Sequence, residues 1–286
     1  MTHDTRHMTR MTTFNIAYLT FRETQRRRIL WVALAMGIGF LIVFALGFHY
    51  VYKDVSESRM RREEVEMVAS LLLMAGLYAT NFLIIVMSVL TSVTTISGEI
   101  DSHTVETLVT KPIRRWELVL GKWLGYASLL LVYIIFLAGG IVLIVYLRSG
   151  VAVANPWPGL GLMIMQGLVV LSISLLGGTR LSTLANGVLA FMLYGVAFLG
   201  GWVEQIGALF QNETAVNIGI ITSLLMPSEI LWKRAASLFM PQFVNSPFAG
   251  PFSISSQPSD LMIGYAVGYA VVLLLLALWS FTQRDL

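Results

Sequence analysis

Few residues of this chain could do chemistry, and most fail the spacing that the chemistry needs. Gly121-Lys122-Trp123 has the Gly-Lys of a phosphate-binding loop. Such a loop also needs a glycine five residues earlier and a hydroxyl after the lysine to hold magnesium; positions 116 and 123 are both Trp. That excludes ATP hydrolysis by this route. The histidines are His3, His7, His49 and His103, and only the first two stand four apart, without further nitrogen or sulfur ligands nearby. There are no cysteines, hence no disulfide, thiol chemistry or Cys metal site. Met60, Met67 and Met74 are seven apart, whereas Met163 and Met165 are two apart and so lie on different helix faces. Methionine here reads as packing material. Metal ligands are therefore expected to be none. The polar residues inside apolar runs are Asn81, Gln166 and Asn186, and no charge sits at the middle of any such run. Ion-coupled carriers usually need one. Each amide can line a substrate path or bond to a neighbouring helix.

The elements around these residues follow from composition. Of 286 residues, 56% are hydrophobic and 12% charged, against about 25% charged in an average soluble domain. That is too little charge to cover a water-facing surface, so a soluble enzyme and a disordered chain are excluded. The net charge of +3 gives no footprint for nucleic acid. Uncharged apolar blocks run over 29–52, 67–96, 123–147, 159–179, 181–203 and 261–282. Backbone in lipid must bond to itself, so these predict six transmembrane helices of about 20 residues or more. The expected class is an all-α polytopic membrane protein in a single domain. The first block is too long for the apolar stretch of a cleaved signal, about 7–15 residues. With the N-terminus inside, twelve Lys and Arg fall on the cytoplasmic side, and seven, with nine acids, fall outside. The positive-inside rule then puts both termini in the cytoplasm of a cell (inner) membrane. Arg59, Arg61 and Arg62 offend the rule, and their neighbours Glu63, Glu64 and Glu66 are expected to neutralise them.

Three segments lie outside the spans. Over 12–28, Phe14, Tyr18 and Phe21 recur at helical spacing, and Arg22 and Arg26 are assigned to another face. This suits a helix lying in the cytoplasmic interface, as an anchor or as part of a docking surface. Over 97–122, Ser102 can cap a short helix bearing Thr104, Val105 and Leu108, which Pro112 ends. Glu99, Asp101, His103, Lys111 and Arg114 surround it, and Trp116, Lys122 and Trp123 are expected at headgroup level. In 204–260, the apolar run 217–225 is too short to span. Pro227 and Glu229 suit the start of a second short helix. Two small-residue pairs, Gly121-xxx-Gly125 and Gly264-xxx-Gly268, offer close-packing faces within the chain or between copies.

Six spans, an interfacial helix and the series Glu99, Thr104, Leu108, Lys111-Pro112, Arg114-Arg115, Gly121-Lys122 resemble the ABC-2 type permeases, the membrane subunits of ABC exporters. His103 stands where that pattern has glycine. Leu225-Met226-Pro227-Ser228-Glu229 is similar to a stretch of the copper-enzyme-maturation (NosY-like) branch. The resemblance covers nearly the whole chain. It implies a coupling helix around 102–110 seated on a separate ATPase, with Glu99 at the junction. It implies pairing with a second copy or a paralogue. It implies ATP and magnesium on the partner, no cofactor on this non-catalytic chain, and export of a substrate. Two other readings stand beside it: a subunit that passes ATPase motion to an extracytoplasmic partner without moving a solute, and an independent carrier.

Overall fold

The computed structural model describes residues 4–26, 28–58, 60–93, 114–240 and 256–283. Regular elements among them are all helices: α1 (Asp4–Arg26), α2 (Arg28–Glu57), α3 (Arg62–Val93), α4 (Arg115–Ser149), α5 (Pro156–Gly178), α6 (Thr183–Leu209), α7 (Glu213–Leu225), α8 (Ser228–Phe239) and α9 (Asp260–Thr282). Six of these, α2 to α6 and α9, are long and apolar enough to cross a membrane. The protein is an all-helical, multi-pass membrane protein.

Local chemistry sets the helix ends. Gly150 ends α4 at φ 72°, and its N–H donates to Tyr146 O at 2.9 Å. Glycine adopts this left-handed conformation without a Cβ clash. Pro156 opens α5, where a missing N–H costs nothing. The Asn212 side chain caps α7 by accepting from Ala215 N at 3.1 Å. At the start of α3, the Arg62 guanidinium pairs with Glu66 at 2.9 Å, and the backbone N–H of Arg61 donates to the Glu64 side chain at 3.1 Å, so Arg62 meets an acid through its charge and Arg61 through its main chain. The helix at the chain start begins at Asp4, earlier than the aromatic spacing suggests. With 35 residues, α4 is about 52 Å long at 1.5 Å per residue, longer than the hydrocarbon core of about 30 Å.

Burial sorts the helices. Two-thirds of the apolar window of α5 is inside the bundle, against 11% for α2 and 17% for α9. One core joins α2, α3, α4 and α5 to Trp232, Ala235, Ala236 and Phe239 of α8. A second joins α3, α5, α6 and α9 to Met226 and Leu231. Thus α8, bent 108° from α7, is built into both cores. A ladder of Phe40, Phe44, Phe48 and Tyr52 runs down α2 with ring centroids 5.7–6.2 Å apart. Phe44 lies where a Cβ on Gly76 of α3 would be 2.5 Å from its ring, so glycine there admits the ring.

Candidate functional site

Three polar regions could carry function: the seat of α1, the amides inside the bundle, and the α7–α8 cap at the opposite end. The seat is made by Gly121 and Gly125 of α4. A Cβ at Gly121 would be 2.6 Å from Ile16, and one at Gly125 would be 2.8 Å from both Ala17 O and Thr20. The small-residue pair is therefore used inside the chain. Thr13, Thr20 and Thr24 are buried there, and Thr24 Oγ1 donates to Thr20 O at 2.8 Å. Phe14 and Tyr18 point away, 72% and 50% exposed, and Phe21 is half-buried. Arg22 belongs to their face: its guanidinium lies 5.0 Å from the Tyr18 ring centroid. Residues 18 and 22 are four apart, which brings them to one side of a helix. That corrects the expectation of separate faces. The Arg26 side chain lies outside the described residues.

The α4 start follows directly. Arg114 is exposed, and its N–H donates to Glu117 at 3.2 Å, a capping arrangement. Lys122, expected at headgroup level, is buried at 4% exposure with Glu117 at 3%. Two turns into α4, Lys122 is already inside the packed helix face. Glu99, Asp101, Ser102, His103, Thr104, Val105, Leu108, Lys111 and Pro112 lie outside the described residues.

The three amides differ. Asn186 of α6 donates from Nδ2 to Ser174 O of α5 at 2.8 Å, and its carboxamide fills the space that a Cβ on Gly177 would need. It holds two spans together. Asn81 and Gln166 are buried, with Asn81 Oδ1 and both polar atoms of Gln166 lacking a hydrogen-bond partner among the described residues. Ser88 and Ser92 of α3 donate to carbonyls of their own helix, whereas the buried hydroxyls of Thr80 and Ser174 have no hydrogen-bond partner among the described residues. Trp123 Nε1 donates to Ser172 Oγ at 3.1 Å, tying α4 to α5.

The cap holds what sequence reading missed. Glu204, Glu229 and Lys233 look like solvated outer charges in sequence, yet they are 7%, 2% and 2% exposed. Lys233 Nζ lies 2.8 Å from Glu204 Oε2, and Ser256 donates to the other oxygen of Glu204. Glu229 is one turn from Lys233 on α8 and packs on Gly201, where a Cβ would be 2.5 Å from Glu229 Cγ. Its Oε2 has no hydrogen-bond partner among the described residues. Burial pushes the Glu229 carboxyl up to about 7, against a smaller pull from Lys233 and with a further push from Glu204. Gly200, Gly207 and Gly219 let α6 and α7 approach: a Cβ at Gly207 would be 2.6 Å from the Ala215 Cβ. One signal in the sequence was available: glycines at 200, 201, 207 and 219 flank the acid at 204. Trp232 seals the cap from below, edge-on to Tyr78 of α3 at 4.7 Å between centroids.

Among the described residues, the chain has six spans, a helix seated across the first turns of the third span and a helix pair between the fifth and sixth. Residues 14–286 match the family described as ABC-2 family transporter protein. The chain belongs to the ABC-2 transporter family. It is a membrane-embedded permease subunit of an ABC transporter, and the family implies association with an ABC ATPase and dimerisation. Comparison with curated proteins returns no match. The ABC-2 match begins within α1, so Ile16, Ala17 and Thr20, which meet Gly121 and Gly125, lie inside the family's span.

Proposed function

We propose that this permease couples ATP hydrolysis on a separate ATPase subunit to export of a substrate. Glu99 to Arg114 form the contact with that ATPase, and both termini are cytoplasmic. ATP and magnesium are held by the partner, and this chain contributes no catalytic group. The seat of α1 on α4 carries the reading. It makes one rigid unit of the N-terminal helix and the start of the third span, at the end of the bundle to which residues 94–113 connect. Force applied there passes into α4 without loss in a soft joint, because side chains thicker than hydrogen are excluded from the contact. The outward face of Phe14, Tyr18 and Arg22 suits headgroups and a partner surface.

The test is to purify the chain with an ATPase encoded beside it. Glu99→Ala and Leu108→Ala should lower ATP turnover and weaken the complex. Unchanged turnover and assembly would sink the proposal. A second reading has its own observation: α8 is welded into both cores, so motion of the spans must move the cap. In that reading the cap passes motion to an extracytoplasmic partner. Substrate accumulation in vesicles containing both subunits decides for export; its absence, with a partner captured on the cap, decides for the second reading. Leu225–Glu229, the stretch similar to the copper-enzyme-maturation branch, is the bend between α7 and α8.

A further inference from the structure

The cap buries two carboxylates and one lysine in the same seam. Lys233 is committed to Glu204 at 2.8 Å, and Ser256 donates to the second Glu204 oxygen. Among the described residues, Glu229 is left with no cation of its own, and the elements packed on α8 supply no other. Among the described residues, α5 carries no charged side chain. From α6 come Glu204, Gln205 and Tyr194; from α3, Tyr78; from α7, only the exposed Glu213; from α9, Asp260, which pairs with Arg234 at 2.9 Å. Glu229 is 2% exposed, and its Oε2 finds no donor among the described residues. The close fit of its Cγ to the α6 backbone at Gly201 leaves a proton as the smallest species that can cancel the charge.

We propose that Glu229 is a proton-binding site: it is carried in the closed cap as the neutral acid, and loss of its proton loosens α8 from α6 and α3. An isolated carboxylate in such a seam is strongly disfavoured, whereas the neutral acid is tolerated. The same balance holds the carboxyl near 7, above its ordinary 4.5. The native cap thus binds more protons than the opened one between those values. Its stability is greatest at acid pH, declines as pH rises through that window, and is level above it. The site makes the cap sensitive to pH in the range where cells and their surroundings differ.

The test uses the full chain in lipid nanodiscs. Difference infrared spectra should contain the carbonyl band of a buried protonated carboxyl at about pH 6, and this band should be missing in Glu229→Gln. The melting temperature should fall by roughly 5 °C between about pH 5 and pH 8 in the wild type and stay level in Glu229→Gln. Glutamine matches the neutral acid in shape, so this variant folds. Glu204→Gln frees Lys233 for Glu229 and should move the fall to lower pH. Lys233→Met should move it to higher pH. A band that persists in Glu229→Gln, equal slopes in wild type and Glu229→Gln, or shifts of the same sign in the last two variants would each overturn the proposal.

Discussion

Both ends of the bundle lay a helix across glycines, but they treat polarity in opposite ways. At the α1 end, Gly121 and Gly125 meet Ile16, Ala17 and Thr20, and the contact holds methyl and hydroxyl groups. Phe14, Tyr18 and Arg22 face outward. At the cap, Gly201 and Gly219 meet Glu229 and Glu204, and the charges face inward. The first arrangement leaves its recognition groups available to membrane and partner. The second encloses them, so their state depends on how tightly the cap is shut. Glycine provides close approach in each case; the residue placed opposite decides whether the result is a platform or a charge-bearing plug.

The largest expected effect breaks the cap. Lys233→Met leaves Glu204 buried without its cation and should cost about 3–5 kcal/mol. The double variant with Glu204→Gln should recover most of that loss, as read by thermal unfolding in nanodiscs. Equal losses in single and double variants would mean that the ion pair does not couple the two helices. Next, Gly125→Val should unseat α1 for about 1–3 kcal/mol of strain, seen as faster proteolysis within Asp4–Arg26 while the spans stay folded. Asn186→Ala sharpens the contrast from inside the bundle. It removes a single bond to Ser174 O and should cost about 1 kcal/mol, with no change at either end. Gly264→Leu should be the mildest. A Cβ at Gly264 or Gly268 meets nothing within 4 Å, so stability of the single chain should change by less than about 0.5 kcal/mol. Cross-linking of purified dimers then reports whether that face belongs to a seam between copies. A loss of chain stability instead would contradict the open face.

Much of the fold was legible because lipid imposes a simple rule. Long uncharged blocks must be helices, and six such blocks marked six spans. Helix punctuation is also local: Pro227, read as the start of a short helix, stands at the N-cap of α8. The functional regions were less legible because they depend on contacts far apart in sequence. Gly121-xxx-Gly125 and Gly264-xxx-Gly268 have the same spacing, yet one is filled by α1 and the other is open. Arg22 and Tyr18 differ in polarity, yet a four-residue step puts them on one side of α1. Glu204 and Lys233 are 29 residues apart, and nothing in either neighbourhood names the other as its partner.

The amino-acid sequence by itself determined the solvent of this protein and the number of its spans. Both follow from hydrophobic length. It also carried the ABC-2 membership, through a pattern spread along the chain. Only tertiary structure decided which glycines are seats, which amides bridge helices and which charges are hidden. Burial is a property of the neighbours that cover a residue, and for Glu229 those neighbours come from α6 and α3 as well as its own helix.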